Sequence, residues 1–146
     1  MKERLAIPLV ILLVGAFILS SGCISSSRTL KNGQEEISVE IGEYYYSDDC
    51  EDGVYCKLYI PVKLKNVGRV ATRAGISFKV IDYAGVNHGR GYFDAGPLYP
   101  NYYNTGTAEI QLDLYDKKWV SHDLNLIGTF GKDSVTWRIS TDAIRE

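Results

Sequence analysis

The stretch KLYIPVKLK, from Lys57 to Lys65, alternates apolar and polar residues. Successive side chains of a β-strand point to opposite faces of the sheet, so the alternation predicts a strand with one buried and one solvated face. Pro61 has no N–H to donate to a neighbouring strand, which predicts that this strand lies at a sheet edge or carries a bulge. The side chains predicted to be buried are Leu58, Ile60, Val62 and Leu64.

The same two-residue period returns in five further stretches, and helix-like spacing is not found after residue 22. Strands with one apolar face must cover it, and without helices the cover is a second sheet. Turn signals separate the stretches at 52–53, 66–68, 84–85, 104–106 and 131–133. We therefore predict an all-β, antiparallel immunoglobulin-like sandwich of about seven strands. The five stretches are EISVEIG, ISFKV, AEIQLDL, DLNLIGTF and VTWRI.

The N-terminal segment combines two positive charges, Lys2 and Arg4, with an apolar run from Leu5 to Leu19. This arrangement is typical of a secretory signal. A membrane-spanning helix needs about 20 apolar residues, which is more than this run provides. The run leads into LSSGC, which resembles the lipobox of prokaryotic lipoprotein signals, with Cys23 directly after the cleavage point.

The lipobox resemblance implies cleavage after Gly22 and a lipid on the thiol of Cys23, which would hold the chain on the extracytoplasmic face of the cell membrane. An uncleaved signal anchor is the alternative, and it leaves the rest of the chain on the same side. The residues after Cys23 are polar and follow no period, as in a flexible tether. The predicted division is a signal peptide over 1–22, a tether over 23–35 and a sandwich domain over 36–142.

The composition of the chain limits the kinds of molecule that it could bind. The 146-residue chain has a formal net charge of −2 and no block of basic residues, which argues against nucleic acid as a partner. About 110 residues follow the predicted tether, enough for one domain with its own core. Outside the cytoplasm, Cys50 and Cys56 are predicted to form a disulfide, and a metal site that uses both thiols is the alternative.

Two further stretches, YIPVKLKNVGRVAT and FKVIDYAG, resemble telokinin-like and related immunoglobulin-type domains of prokaryotic surface lipoproteins. The matching turn residues are Asn66 and Gly68 after the first strand, and Asp82 and Gly85 after the second. GPLYPN is similar to a later turn of that family, with Asn101 at a position where the family has Gly. The resemblance implies an immunoglobulin-like fold and a surface role, and it brings no catalytic residue and no cofactor.

An acidic stretch, DDCEDG at 48–53, is the candidate for a metal site, because carboxylates are the ligands that hard cations prefer. It does not follow the EF-hand pattern, since Cys50 stands where an oxygen ligand is required. A hairpin tip closed by its own disulfide is the competing interpretation. His88, in NHGRG, is predicted to lie on a Gly-rich turn. The weak metal candidates are Asp48, Asp49, Glu51 and Asp52.

Tyrosine is frequent, with eleven residues, and it clusters at two places. Three consecutive tyrosines at 44–46 cannot all face one core, and YPNYYNTG at 99–106 reads as a loop with solvent-facing rings. Rigid, amphipathic rings are common contact residues for partners. The competing interpretation is that tyrosine suits a half-buried strand surface. The candidate contact residues are Tyr44, Tyr45, Tyr46, Tyr99, Tyr102 and Tyr103.

Three functions remain open. The one we favour is a membrane-anchored, non-catalytic module that binds a protein or a cell-envelope glycan. The second is a small envelope enzyme or metal-binding protein built on the acidic stretch from Asp48 to Asp52. The third is a structural subunit of a membrane-associated assembly that docks by edge-strand addition. No nucleophile, acid–base pair or cofactor motif stands out, so the chain is predicted not to be an enzyme and to need no cofactor.

Overall fold

The computed structural model describes residues 27–47, 50, 56–113 and 123–141. The predicted signal peptide and the predicted lipidation site Cys23 lie outside these described residues, and so do the acidic candidates Asp48, Asp49, Glu51 and Asp52. In the part of the chain that is described, no helix is long and apolar enough to cross a membrane.

Nine strands are found among the described residues, and they form two antiparallel sheets. In the first sheet the order is β1–β2–β4–β7, and β3 also pairs with β4, on the side where β2 ends. In the second sheet the order is β6–β5–β8–β9. The strands are β1 (Arg28–Asn32), β2 (Glu35–Ile41), β3 (Tyr45–Tyr46), β4 (Cys56–Asn66), β5 (Thr72–Ile81), β6 (Asn87–Leu98), β7 (Tyr103–Leu112), β8 (Leu124–Phe130) and β9 (Asp133–Ile139).

The all-β class and the two antiparallel sheets are confirmed, whereas the number of strands is higher than expected. Three strands have no counterpart among the six alternating stretches: β1 and β3, which have five and two residues, and β6, which has twelve. The two short strands carry too little of the alternating pattern to be recognised in the sequence, whereas β6 is rich in glycine and polar residues and buries only Ala95 and Leu98. β1 also lies within the range 23–35 predicted as a flexible tether. The burial of Leu30 and a five-residue ladder with β2 hold this strand in the sheet.

The core lies between the two sheets and takes alternate residues from each strand. β4 buries every second side chain, as its sequence predicts, and these include Leu58, Ile60 and Leu64 at 0 % exposure. Full burial of one such side chain stabilises a fold by about 1.5–3 kcal/mol. In the second sheet, the ring centroids of Phe78 and Trp137 lie 6.3 Å apart.

The prediction that Pro61 marks an edge strand or a bulge is wrong, because β4 is central in the first sheet, where it pairs with β2, β3 and β7, and its ladder with β7 runs through Pro61 without a register shift. The N–H of Gly42 donates to the carbonyl of Pro61 at 2.8 Å. The carbonyl and the ring nitrogen of a strand residue point to the same side, so the missing donor of Pro61 faces Gly42. The interruption of the sheet therefore lies in the segment next to β4, between the end of β2 at Ile41 and the start of β3 at Tyr45.

The predicted turn at 104–106 is also wrong, because these residues belong to β7. The Asn-Thr-Gly composition favours a turn locally, but a ten-residue ladder with β4 overrides that preference. Gly106 serves packing here, since a Cβ at this position would run into the ring of Phe93. His88, expected on a turn, likewise lies in β6. The turns predicted at 66–68, 84–85 and 131–133 are confirmed by the strand boundaries.

Both lateral sides of the sandwich are closed by contacts between the two sheets. On one side β6 packs against β7, and the N–H of Asp113 donates to the carbonyl of His88 at 2.8 Å. On the other side β1 lies near β9, and the N–H of Lys31 donates to Asp133 Oδ2 at 3.0 Å. Covered edges of this kind protect a sheet against pairing with other chains.

The predicted disulfide is confirmed: Cys50 is bonded to Cys56, the first residue of β4. Both residues are buried. A cross-link across so short a loop contributes roughly 2 kcal/mol of stability through the unfolded chain.

Candidate binding surface

A tight turn connects β6 to β7 and carries two exposed tyrosines. The N–H of Tyr102 donates to the carbonyl of Tyr99 at 3.0 Å, and Asn101 has a φ of 72°. With Pro100 and Asn101 as its central residues, this is a type II turn, in which the third position requires a positive φ. The loop predicted at 99–106 is therefore shorter in the structure and ends before Tyr103.

Asn66, the last residue of β4, holds this turn in place. It is 0 % exposed, and its side-chain NH2 group donates to the carbonyls of Val70 at 2.8 Å and Leu98 at 2.9 Å. Its side-chain oxygen accepts the N–H of Gly68 at 2.9 Å. Its backbone pairs with the turn: its N–H donates to the Tyr102 carbonyl at 3.0 Å, and its carbonyl accepts an N–H at 2.8 Å from the turn's third residue. The turn is therefore fixed to the sheet before any ligand arrives.

The rings on this turn face solvent. Tyr99, Tyr102 and Tyr103 are 69 %, 64 % and 59 % exposed, although Tyr103 is the first residue of β7. The rings of Tyr99 and Tyr102 meet edge to face at 6.3 Å. The ammonium of Lys63 lies 4.4 Å from the centroid of the Tyr103 ring, a cation–π contact. We call residues 99–103 the tyrosine turn.

Beside the tyrosine turn lies a shallow cavity of about 260 Å³. Tyr99 forms one wall, and Glu35 and Arg73 supply charged groups of both signs. The guanidinium of Arg73 also pairs with Asp94 at 3.2 Å, but this pair is largely exposed and contributes little to stability.

A second and larger depression, of about 360 Å³, lies on the outer face of the first sheet. Gly42 has no side chain and the Pro61 ring is compact, so the surface of the sheet is lower here than at the larger side chains on either side. Glu40, Lys63 and Thr105 line its polar side. We call this depression the Gly42 groove. The cross-strand row Glu40–Lys63–Thr105 lines the groove, the row Tyr45–Tyr59–Glu109 lies on the far side of Pro61, and the row Ser38–Lys65–Tyr103 lies one row beyond Lys63.

Of the three consecutive tyrosines, one lies at the surface and two pack against the core. Tyr45 is 52 % exposed and stacks on Tyr59 with ring centroids 5.0 Å apart. Tyr44 and Tyr46 pack against the core, and their hydroxyls bind the chain directly after β9. The hydroxyl of Tyr46 donates to the carbonyl of Ser140, and the N–H of Ser140 donates to the hydroxyl of Tyr44, both at 2.8 Å. Tyr45 is thus the member of this cluster most available to a partner.

Burial raises the pKa of the Tyr46 phenol well above its usual range, and the neighbouring Tyr44 phenol adds to the effect. The hydroxyl therefore stays protonated and keeps its hydrogen bond to Ser140 across the physiological pH range. This contact ties β3 of the first sheet to the end of β9 in the second.

An Asp–His pair that the sequence did not predict lies at the other end of the sandwich. His88 Nε2 is 2.9 Å from Asp82 Oδ2, and Asp82 Oδ1 accepts the N–H groups of Ala84 and Val86. The hydrogen bond from His88 lowers the pKa of the Asp82 carboxyl, and the two N–H groups lower it further. The backbone N–H groups that Asp82 accepts belong to the connection between β5 and β6, so we interpret the pair as a cap on the β5–β6 turn.

This pair predicts acid lability. A carboxyl whose pKa is lower in the folded state stabilises the fold above its unfolded value of about 4, and this contribution is lost as the pH falls toward the lower folded value. We expect the melting temperature of the native protein to fall more steeply than that of Asp82→Asn as the pH is lowered from about 5 to about 2.5. Parallel curves for the two proteins, measured by circular dichroism, would contradict this assignment.

The structure brings together part of the predicted contact set. Tyr99, Tyr102 and Tyr103 form one exposed group, whereas Tyr45 lies in a different row of the first sheet. The groove lined by Glu40 and Lys63 was missed, because its residues come from three strands and become neighbours only through the register. No set of three or more His, Cys, Asp or Glu side chains that could hold a metal ion is found among the described residues.

Neither a protein family nor a curated protein matches this chain. Among solved structures, the chain is similar to a conserved hypothetical protein from Bacillus anthracis at 8 % identity and a TM-score of 0.44. That similarity covers 77 % of this chain and 94 % of the other.

Proposed function

We propose that this protein is a membrane-anchored, extracytoplasmic and non-catalytic binding module whose contact surface is centred on the tyrosine turn. The observation that carries the proposal is the type II turn. Hydrogen bonds of the buried Asn66 fix this turn to the first sheet, and the turn carries the exposed rings of Tyr99 and Tyr102. Aromatic rings on a rigid support provide contact area at low entropic cost, because little freedom is lost on binding.

The direction of β1 is consistent with this role. β1 runs toward the turn at Gly33, and this turn lies at the same end as the tyrosine turn, since Ile37 pairs with Asn66. A lipid on Cys23, or an uncleaved anchor, would therefore leave the tyrosine turn directed away from the membrane. Intact mass of the membrane form tests the anchor. We expect loss of residues 1–22 and a lipid adduct, whereas a mass that retains residue 1 would favour the signal anchor.

The immunoglobulin-like and telokinin-like assignment is also part of the proposal. The pairing of β4 with β2 and β7, opposite a sheet in the order β9–β8–β5–β6, supports it, because immunoglobulin-like sandwiches pair their strands in this way. The chain departs from antibody domains in its disulfide, which joins residues six positions apart instead of linking the two sheets.

Docking of an assembly subunit by edge-strand addition receives less support. The edge strand β1 has its Lys31 N–H bonded to Asp133, and β6 has its His88 carbonyl bonded to Asp113. An added strand needs such backbone groups to be available.

Site-specific photocrosslinking in the producing cells tests the proposed function. The full chain carries p-benzoyl-phenylalanine in place of Tyr102, and the control carries it in place of Tyr83, which is 78 % exposed on the β5–β6 turn. We expect a covalent adduct, to protein or to glycan, from position 102 and much less from position 83. Equal yields, or no adduct at position 102, would contradict the proposal.

A further inference from the structure

We propose that the side of the sandwich formed by β1, β9 and the β8–β9 turn rests on the lipid headgroups of the membrane. This inference deepens the proposed function, and it rests on the lipid anchor at Cys23, because it states which surface of the domain faces the bilayer. We call this surface the β1 flank. Its cationic residues are Arg28, Lys31, Lys132 and Arg138.

The link between the proposed anchor and the first sheet is short. β1 begins at Arg28, which is five residues after Cys23. Even fully extended, five residues of chain span at most about 18 Å. A lipid on Cys23 would therefore keep the start of β1 within that distance of the headgroups.

The sandwich cannot stand upright on so short a link. Arg28 is level with Leu64, since both pair with Val39. From Leu64, β4 continues over eight residues to Cys56, at the end of the sandwich opposite the tyrosine turn. Eight residues of strand measure about 26 Å, which is more than the link can span. With upright strands that end would enter the bilayer, so the domain has to tilt, with the tyrosine turn at the raised end.

Charge distinguishes the surfaces that a tilted domain can turn toward the membrane. β1 is an edge strand of the first sheet, so the link can reach the β1 flank or the outer face of that sheet. On the outer face, Lys57 pairs with Glu109 at 2.9 Å, and the ammonium of Lys63 lies over the Tyr103 ring. These cations already have partners within the protein, which favours the flank.

The four cations of the β1 flank have no such partners. None of them is in an ion pair among the described residues. Two carboxylates lie beside them: Asp133, which accepts the N–H groups of Lys31 and Ser134, and Glu36, which is opposite Lys31 in register. The cations therefore outnumber the carboxylates, and basic side chains near a bilayer are attracted to its anionic headgroups.

The flank is suited to a headgroup surface and not to a protein. None of the large apolar side chains exposed in the described chain belongs to β1, β9 or the β8–β9 turn. A protein interface needs a desolvated, largely apolar core, which this surface does not supply. Without apolar side chains the flank lies on the headgroups and does not enter the hydrocarbon.

Paramagnetic relaxation in vesicles tests the inference. The lipidated full chain is reconstituted in phosphatidylcholine with about one third phosphatidylglycerol, and a trace lipid carries a gadolinium chelate on its headgroup. A nitroxide label is attached through Thr136→Cys on β9. The control label is attached through Thr107→Cys on β7, at the opposite edge of the first sheet, and both threonines are exposed. We expect relaxation several times stronger at position 136 than at position 107.

Charge reversal separates contact by the flank from tethering alone. In the double variant Lys132→Glu, Arg138→Glu, we expect relaxation at position 136 to fall close to the value at position 107. The matched control is Lys79→Glu, Arg90→Glu, which changes the net charge equally at exposed residues of β5 and β6 and should keep the difference. Raising the salt concentration of the native sample to about 1 M, which shortens the Debye length to about 3 Å, should remove the difference without any substitution.

Equal relaxation at positions 136 and 107, or stronger relaxation at 107, would overturn the inference. An equal loss in both double variants would also overturn it, since overall charge and not the flank would then be responsible. An adduct from position 102 together with either result would leave the tyrosine turn as the contact surface while the flank inference fails. An intact mass without a lipid would remove the anchor from the proposed function, and the flank inference with it.

Discussion

Replacing Asn66 with Ala should destabilise the fold by about 3 kcal/mol, because three backbone groups lose their side-chain partner inside the protein. A buried polar group left without a hydrogen bond costs about 1–3 kcal/mol. For a domain of this size the melting temperature should fall by about 10 °C or more, measured by thermal denaturation. Asn66→Asp should be at least as harmful, since a carboxylate would face the carbonyls of Val70 and Leu98.

Asn104→Ala is the matched control for this change. Asn104 is exposed; its side chain donates a hydrogen bond of 3.3 Å to the carbonyl of Ala95, and its side-chain oxygen accepts the N–H of Thr105 at 2.9 Å. Water can replace both bonds, so we expect a loss below about 1 kcal/mol. Similar losses for Asn66→Ala and Asn104→Ala would show that the tyrosine turn is not held by Asn66. Because Asn66 also positions Tyr99 and Tyr102, ligand binding should weaken along with stability.

The second large effect is expected from Gly89→Ala in β6. A Cβ on Gly89 would lie 2.5 Å from the carbonyl oxygen of Gln111 and 2.9 Å from Ile110 in β7. The backbone of β7 cannot yield as a flexible side chain does, so β6 and β7 must separate where the two sheets meet. Overpacking of this kind costs about 1–3 kcal/mol, and we expect a value in the upper part of that range in denaturant unfolding.

Gly75→Ala provides the comparison for Gly89→Ala. It adds the same methyl group to a strand, but the group it would meet is the outer end of the Tyr92 side chain, which can rotate into solvent. We expect a smaller loss than for Gly89→Ala. If Gly75→Ala were the more harmful of the two, the close packing of β6 on β7 would not be a main support of the sandwich.

The sequence predicted the fold class because the alternation is local. β4 and β5 bury every second residue, and that period can be read from Leu58 to Leu64 without knowing any partner strand. The predictions were wrong at positions where pairing with another strand determines the structure. Pro61 is tolerated in a central strand because β2 ends, and β3 has not yet begun, at the position opposite it. Thr105 is in a strand because β7 pairs with β4 along its length. Neither circumstance is visible in the residues themselves.

The candidate site was predictable only in part. The dipeptide Pro100-Asn101 is a signature of a type II turn, so the turn between the tyrosines could have been located more narrowly than 99–106. The role of Asn66 could not be predicted, because its partner Leu98 is 32 residues away in the chain. The same holds for the Gly42 groove, which exists only when β2, β4 and β7 lie side by side.

The most direct test of the central claim compares ligand binding and stability for Tyr102→Ala and Tyr83→Ala. Both tyrosines are more than half exposed, but they lie at opposite ends of the sandwich. With the partner identified by photocrosslinking, we predict that Tyr102→Ala weakens binding by about 1–2 kcal/mol and that Tyr83→Ala leaves binding unchanged. Both melting temperatures should stay near that of the native protein, because exposed substitutions change stability by about 0.5 kcal/mol or less. Unchanged binding by Tyr102→Ala, or its unfolding, would contradict the account.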